Sequence, residues 1–446
     1  MLFEAIAAHG TKIALREGAD SLTYEQLLTE IKRRAKALEP SDRISLELDN
    51  GIEWILWDLA ALYVGALCVP IPPFFTEEQK KHVFRTAAIT ARITSEGTLP
   101  LQKTNEVPLP SGTVKITFTS GTTGNPKGVC LSKEGLNTVA SSLYGRLGEA
   151  FVGRHMCILP LAVLLENIAG VYTALLAGSE VHLIPLASFG DIYSSLHFLL
   201  ASEQATTAIL VPEILRILLG QIMKSGPLPN LEFLAVGGSR VDPNLIGAAR
   251  QLGLPVYEGY GLSECASVVS LNVPESDRIG TVGQPLPHVD VSIRENEIVI
   301  SDPAFLGYVG EPASKEFFTG DLGSMNENGF ISIQGRKKNV LITSFGRNIS
   351  PEWVESTLLL QPDIAQAVVF GDGEPHLRAL VVPSHTAANV PKAIDLSNEL
   401  LPDYARIQNF TVVPPFTVEN GLLTGTGRPK RDNILAKILQ ETGEVS

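Results

Sequence analysis

A loop of glycines and hydroxyl side chains near residue 120 has the composition of a phosphate-binding segment. Residues 114–119 alternate apolar and polar side chains, as a strand does, and the loop SGTTGNPKG follows directly. Glycines let backbone N–H groups approach phosphate oxygens, the hydroxyls donate hydrogen bonds, and Lys127 adds a mobile positive charge. The loop therefore predicts a polyphosphate site. The alternative is a solvated turn, which would not need threonines between the glycines.

This loop differs from the P-loop of mononucleotide-binding proteins. The pattern Gly-x-x-x-x-Gly-Lys-Ser/Thr would need glycine at position 126 and Ser or Thr at 128, where the chain has Pro126 and Gly128. The following segment GVCLS has the pattern of a strand, so no helix N-terminus is available to the phosphate. We therefore expect a hairpin whose loop closes over a triphosphate.

Four motifs occur in the order found in one enzyme superfamily. They are TFTSGTTGNPKGVCLS, GYGLSE (259–264), FFTGDLG (317–323) and GRKKNVLITSFGRNISPEWVES (335–356). On these motifs the chain resembles the adenylate-forming enzymes, which include acyl-CoA synthetases, aryl-CoA ligases, luciferases and carrier-loading adenylation domains. The resemblance covers essentially the whole chain. Residues 335–356 and the segment ENGLLT are most similar to the fatty-acid-activating branch.

The resemblance implies a ligase that joins a carboxylic acid to ATP with Mg²⁺, releases pyrophosphate and passes the acyl group to a thiol. The acceptor is expected to be CoA; the alternative is the phosphopantetheine of an acyl carrier protein. Val163 stands where the family often has a histidine or an aromatic residue, so we expect an aliphatic or aryl acid. Glu166 is expected to be structural.

The resemblance also assigns roles to single residues. Glu264 and Thr119 resemble the Mg²⁺ ligands, and Ser263 would bond to the α-phosphate. The other expected nucleotide contacts are Thr119, Ser120, Gly121, Thr122, Thr123, Gly124 and Lys127 at the β- and γ-phosphates, Tyr260, Gly261, Gly237 and Gly238 around adenine, and Asp321 and Arg336 at the ribose. Taken singly, Asp321 could be a turn residue, Tyr260 a core residue and Arg336 a surface charge.

The family's adenylation lysine is replaced in this chain. It belongs to a C-terminal Ser/Thr-Gly-Lys segment, where this chain has Thr426-Gly427-Arg428 followed by Lys430. The guanidinium of arginine is a planar fork of donors, whereas the ammonium of lysine is a compact point charge. The exchange of lysine for arginine is therefore not conservative. Three hypotheses stay open: Arg428 serves in adenylation, Lys430 serves, or the protein binds adenylates with impaired catalysis. A basic turn without function is the fourth interpretation.

The elements that position these residues alternate between helices and strands. The sequences TYEQ (23–26) and NGIE (50–53) are capping boxes that predict two helices. The β-α-β rhythm, repeated around 234–238 and 254–261, predicts an α/β fold whose large N-terminal domain, residues 1–334, has mixed sheets flanked by helices. Residues 335–446 predict a smaller α+β domain. The resemblance makes this domain mobile, with a hinge near Lys338.

Composition and charge narrow the classes of function. The 446 residues are 44% hydrophobic and 19% charged, which is typical of a globular protein and excludes disorder. The net charge of −13 argues against a nucleic-acid partner. Four scattered cysteines, the absence of a basic leader and the interrupted apolar runs predict a reduced cytoplasmic protein without a transmembrane segment.

Overall fold

The computed structural model describes residues 1–101, 107–119, 126–186, 189–424 and 427–442. Its helices are α1 Leu2–Ala8, α2 Tyr24–Ala35, α3 Ile52–Val64, α4 Glu77–Thr86, α5 Lys133–Leu147, α6 Thr173–Ala177, α7 Phe189–Ser202, α8 Pro212–Ser225, α9 Pro243–Gln251, α10 Pro351–Leu358, α11 Val390–Leu400 and α12 Arg431–Thr442. A π-helix, Leu165–Tyr172, runs directly into α6.

The strands of the first part of the chain are β1 Ile13–Glu17, β2 Asp20–Thr23, β3 Arg43–Glu47, β4 Leu67–Pro70, β5 Ala91–Thr94, β6 Gly97–Pro100, β7 Thr113–Thr119, β8 Lys127–Ser132, β9 Arg154–Cys157, β10 Glu180–Leu183, β11 Thr207–Leu210, β12 Phe233–Val236, β13 Val256–Leu262, β14 Ser267–Leu271 and β15 Gln284–Pro285. The later strands are β16 Asp290–Arg294, β17 Glu297–Ser301, β18 Phe305–Tyr308, β19 Glu311–Pro312, β20 Glu316–Met325, β21 Ile331–Arg336, β22 Leu341–Ile342, β23 Asn348–Ile349, β24 Ile364–Phe370, β25 Leu377–Pro383 and β26 Ile407–Val412.

Two large mixed sheets dominate the described structure. One has the strand order β15-β14-β13-β12-β11-β9-β10-β1-β2, and the other has the order β19-β18-β8-β7-β4-β3-β5-β6. A four-stranded sheet, β16-β17-β20-β21, precedes the small sheets β22-β23 and β24-β25-β26. Helices connect the parallel strands, as α/β architecture requires. The predicted fold class is confirmed.

The buried side chains form separate hydrophobic clusters along the chain. The largest extends from Leu2 to Phe305, and two others contain only residues from Leu341 onward. Within the described residues, no helix has the length and apolar character needed to cross a membrane.

The two predicted capping boxes had different outcomes. At α2 the prediction is confirmed: Thr23 Oγ1 accepts from Gln26 N at 3.2 Å, and Gln26 Oε1 accepts from Thr23 N at 2.8 Å. At α3 it is wrong, because Ile52 N donates to Glu17 Oε2 at 2.8 Å. The Asn50 side chain bonds instead to the backbone of Leu159 and Leu161, both at 2.8 Å. Both Ile52 N and the Asn50 side chain therefore bond to residues that are distant in the sequence, and the predicted local cap does not form.

A buried ion pair joins β7, α3 and the π-helix inside the core. Lys115 Nζ lies 2.8 Å from Asp58 Oδ1, and both side chains are 1% exposed. Tyr172 donates its hydroxyl hydrogen to Asp58 Oδ2 at 2.8 Å, and the Asn167 amide donates to the same oxygen at 3.1 Å. The charges of Lys115 and Asp58 therefore compensate each other inside the core, where solvent does not reach them.

Removing the lysine charge should destabilise the fold strongly. We expect Lys115→Met to lower the free energy of unfolding by about 3–5 kcal/mol, because Asp58 would stay buried without a countercharge. Urea unfolding followed by circular dichroism measures this loss. Lys36→Met is the matched control, since Lys36 is exposed. Equal unfolding midpoints for the two variants would contradict the expectation.

Candidate active site

The predicted phosphate loop connects two antiparallel strands. β7 pairs with β8, and Thr119 lies opposite Lys127, so the predicted hairpin is confirmed at its base. Ser120, Gly121, Thr122, Thr123 and Gly124 lie outside the described residues. On the exit side of the loop, His82 Nε2 lies 3.1 Å from the carbonyl oxygen of Pro126.

Lys127 and Glu264 both contact a tyrosine that lies outside the four sequence motifs. The hydroxyl of Tyr308 donates to Glu264 Oε1 at 2.7 Å, and Lys127 Nζ lies 5.1 Å from the centre of the Tyr308 ring. The segment FLGY offered only a strand pattern, so nothing in its local sequence pointed to this contact. Ser263 precedes Glu264 in the 3₁₀ turn Ser263–Cys265 and is half-buried.

The chemistry of these side chains fits a magnesium ion. Glu264 Oε2 receives no hydrogen bond from any residue in the described ranges, while Oε1 is held by Tyr308. Thr119, the second predicted ligand, ends β7 beside Lys127. Mg²⁺ prefers oxygen ligands and keeps several waters when it bridges phosphates, so one carboxylate and one hydroxyl are a sufficient protein contribution.

The expected adenine site lies where parallel strands end. β12 and β13 are parallel neighbours, and Gly237 and Gly238 follow β12 directly. The carboxyl ends of such strands are the common ligand position in α/β sheets. Gly238 has a φ of +85°, which favours glycine. At Gly261 a Cβ atom would overlap the carbonyl oxygen of Ser267, so a side chain is excluded there.

Asp321 is the centre of a second polar group. Tyr260 donates its hydroxyl hydrogen to Asp321 Oδ2 at 2.6 Å, and Arg336 Nε lies 2.7 Å from Oδ1. Asp321 and Arg336 are also direct partners in the β20–β21 ladder. Burial raises the pKa of Asp321, and the Arg336 charge and the Tyr260 hydrogen bond oppose that rise. The structure thus brings together three residues predicted at the adenosine.

Arg428 reaches this group from the C-terminal part of the chain. Its guanidinium donates to the carbonyl oxygen of Gly238 and lies within electrostatic range of Asp321 and Arg336. The backbone of the residue is also held, because Arg428 N donates to Thr424 Oγ1 at 3.0 Å. Residues 425–426 of the motif, including Thr426, are outside the described ranges.

Lys430, the alternative to Arg428, has a different environment. Its backbone N–H donates to Leu422 O at 2.8 Å. Its side chain makes no hydrogen bond or ion pair with the described part of the protein. Of the two candidate cations, Arg428 is the one that bonds to Gly238 in the described part of the chain.

Apolar side chains adjoin the same glycine. A Cβ atom placed on Gly238 would lie 3.5 Å from Val211 Cγ1 and 3.8 Å from Leu165 Cδ2. Glu166 points elsewhere and is fully buried: Oε2 accepts from Leu159 N at 3.1 Å, and Oε1 lies 2.8 Å from His155 Nε2. Glu166 is therefore engaged within the core, as its expected structural role requires.

The predicted hinge lies in a short turn between β21 and β22. Lys338 is the central residue of the 3₁₀ turn Lys337–Asn339. Lys337 Nζ lies 2.8 Å from Glu297 Oε2 on one side of this turn. On the other side the Asn339 amide donates to Glu352. The two ends of the turn are thus tied to β17 and α10.

Comparison with protein families gives a match along nearly the whole chain. The sequence model of the AMP-binding enzyme family matches residues 2–114 and 99–304, and that of the AMP-binding enzyme C-terminal domain matches residues 338–437. The chain belongs to the AMP-binding enzyme family. The resemblance inferred from the four motifs is therefore confirmed.

Several curated proteins resemble this AMP-binding enzyme. The chain is 26% identical to the long-chain-fatty-acid–CoA ligase FadD15 of Mycobacterium bovis, over 91% of this chain and 88% of the relative. It is 29% identical to the 2-succinylbenzoate–CoA ligase of Geobacillus kaustophilus, over 66% of this chain and 61% of the relative.

Two solved structures share the fold. The anthranilate CoA ligase AuaEII in complex with anthranoyl-AMP has a TM-score of 0.83 and 17% identity, with 98% of this chain and 96% of that chain covered. The o-succinylbenzoate CoA synthetase of Bacillus subtilis in complex with ATP and magnesium ion has a TM-score of 0.78 and 21% identity. The match covers 97% of this chain and 98% of that chain.

Proposed function

We propose that this AMP-binding enzyme activates a hydrophobic carboxylic acid with ATP and transfers the acyl group to the thiol of CoA. The observation that carries the proposal is the contact of Arg428 with the Gly238 carbonyl, beside the Tyr260–Asp321–Arg336 group. This contact brings a cation of the C-terminal segment to the place where an acid and a nucleotide would meet. The names of the relatives, which are CoA ligases, support the same reaction.

Each residue of the candidate site has a proposed part in this reaction. Lys127 and the loop 120–124 bind the β- and γ-phosphates, and Ser263 bonds to the α-phosphate. Asp321 and Arg336 bind the ribose hydroxyls, and Tyr260 packs on adenine beside the backbone of Gly237, Gly238 and Gly261. Glu264 and Thr119 would hold Mg²⁺, which shields the phosphate charge when bound.

Arg428 is the proposed adenylation residue. In the first half-reaction a carboxylate oxygen forms a bond to the α-phosphorus while the bond to pyrophosphate breaks. Both reactants are anions, so a guanidinium fork between them lowers their repulsion and orients the attack. In the second half-reaction the CoA sulfur bonds to the acyl carbon and AMP leaves. The contact with Gly238 is then a resting position that Arg428 exchanges for its substrates.

The acid is proposed to be aliphatic or aryl. Leu165 and Val211 adjoin Gly238, and Val163 supplies another apolar side chain at the start of the same segment. The buried Glu166 is not available to an amino group of a substrate. These features support a role in the metabolism of fatty or related acids. All four cysteines are buried and free, which supports a reducing cytoplasmic location.

We also propose that residues 1–334 and 335–446 are separate domains that move about the turn at Lys338. The buried members of the large cluster end at Phe305, and two other clusters contain only residues after 340; Leu360 of the later part packs against the large cluster. A rigid-body change about a short linker would let one C-terminal domain serve both half-reactions. The cluster boundary supports this division, and the turn supplies a short segment that can absorb the change in backbone angles.

A substrate panel tests the proposed function. We expect AMP release that requires both ATP and a carboxylic acid, with fatty and aryl acids preferred over amino acids. CoA should accept the acyl group, and a holo-carrier protein is the alternative acceptor in a parallel reaction. Exchange of labelled pyrophosphate into ATP measures adenylation without an acceptor. ATP binding without AMP release for any acid would instead favour an adenylate-binding protein with impaired catalysis.

A further inference from the structure

Tyr308 is placed by the strand that flanks the exit of the phosphate loop. β18 pairs antiparallel with β8, so that Tyr308 lies opposite Val129. The next residue, Val309, donates its N–H to Gly128 O at 2.9 Å. A Cβ atom at Gly128 would lie only 2.8 Å from Val309 Cγ2, so the two strands pack closely there. The position of Tyr308 relative to the loop is therefore determined by backbone pairing.

The Tyr308 side chain is also held on its apolar side. Its ring packs edge-on against Phe305, with ring centres 5.4 Å apart and planes at 73°. Phe305 packs in the same way on Phe317 of β20, again at 5.4 Å and 73°. Because the ring packs against this row of aromatic residues, a change of its χ1 angle would break these contacts, so the position of the hydroxyl oxygen is defined.

Two opposite charges contact different parts of this ring without pairing with each other. The Lys127 ammonium lies over the ring, 5.1 Å from its centre, and Glu264 accepts the hydroxyl hydrogen at 2.7 Å. Among the described residues, Lys127 and Glu264 form no ion pair. A direct Lys127–Glu264 pair would neutralise the charges that a nucleotide and its metal require. Tyr308 separates them.

We propose that Tyr308 is a positioning residue that keeps Glu264 available to a divalent cation and Lys127 available to phosphate. It binds Glu264 through one carboxylate oxygen, which leaves the other oxygen for the metal. Its ring gives the ammonium a weak cation–π partner that phosphate oxygens readily replace. The inference rests on the proposed function, because it assigns Glu264 and Lys127 to the metal and the phosphates.

Two variants of Tyr308 separate these two effects. Tyr308→Phe keeps the ring but loses the hydrogen bond to Glu264. Loss of such a ligand-orienting bond typically weakens metal binding about 10-fold or more. We therefore expect Tyr308→Phe to need about 10-fold more Mg²⁺ for tight ATP binding, with metal-free ATP binding unchanged. Tyr308→Leu should lose metal-free ATP binding as well, because Lys127 can then pair with Glu264.

Titration calorimetry measures ATP binding across a series of Mg²⁺ concentrations and in EDTA. Tyr144→Phe is the matched control, since Tyr144 is 39% exposed on α5. Adding Glu264→Gln to Tyr308→Leu removes the competing carboxylate, so metal-free ATP binding should recover. Thermal melting identifies a variant that has failed to fold.

The outcomes distinguish the two proposals. An unchanged Mg²⁺ requirement in Tyr308→Phe, beside normal MgATP binding by the parent protein, would overturn the role of Tyr308 alone. Failure of metal-free binding to recover in the double variant would overturn the spacer role. Failure of the parent protein to bind MgATP would overturn the proposed function itself.

Discussion

Replacing Arg428 by alanine is expected to lower acid-dependent adenylation by about 10²–10³-fold, the usual cost of removing one charge-stabilising donor from an active site. The guanidinium is the C-terminal cation that contacts Gly238 and lies near Asp321. Without it, a carboxylate would have to approach the α-phosphate against uncompensated repulsion. Labelled pyrophosphate exchange at saturating acid and ATP measures the effect directly.

Lys430→Ala is the control for this prediction. Lys430 belongs to the same basic segment, but its side chain has no partner in the described residues. We expect the pyrophosphate-exchange rate of Lys430→Ala to differ from that of the parent protein by no more than about twofold, as for most surface substitutions. A larger loss in Lys430→Ala than in Arg428→Ala would mean that Lys430 is the adenylation residue.

Arg428→Lys tests the geometry of the cation rather than its charge. Lysine supplies one compact charge without the planar fork, so activity should fall between the parent protein and Arg428→Ala. Transfer from a synthetic acyl-adenylate to CoA should be much less affected in both variants. That reaction bypasses the approach of two anions. Equal losses in both half-reactions would contradict a specific role in adenylation.

Replacing Asp321 by alanine is expected to weaken ATP binding by about 10²-fold. Hydrogen bonds to charged groups contribute about 1.5–3 kcal/mol each, and under the proposed function the Asp321 carboxylate accepts hydrogen bonds from the ribose hydroxyls. The substitution also removes the carboxylate that holds Tyr260 and Arg336. The repulsion between the charges of Arg336 and Arg428 would then lose the compensation that the Asp321 carboxylate provides. Calorimetric titration with MgATP measures the loss of affinity.

Two further variants serve as comparisons for the ATP affinity of Asp321→Ala. Asp321→Asn keeps an acceptor for Tyr260 while it removes the charge, so its affinity should lie between those of the parent protein and Asp321→Ala. Asp290→Ala, on the exposed first position of β16, should bind ATP normally. Unchanged ATP affinity in Asp321→Ala would place the ribose elsewhere.

The sequence alone determined the features that depend on neighbours along the chain. The alternation before residue 120 predicted β7 and the hairpin because a strand's side-chain period is local. The capping box at Thr23 was correct because both of its hydrogen bonds join residues three positions apart. The motif order also identified the superfamily, since it needs no knowledge of three-dimensional contacts.

Only the tertiary structure decided the features that depend on distant partners. Asn50 does not cap α3 as predicted, because its side chain forms buried hydrogen bonds with the backbone of Leu159 and Leu161. Tyr308 contacts Glu264 and Lys127 because strand pairing brings three separated segments together. Arg428, rather than Lys430, bonds to Gly238, a contact across 190 residues that the local sequence does not indicate. Each of these contacts joins residues far apart in the chain, whose approach depends on the packing of whole elements.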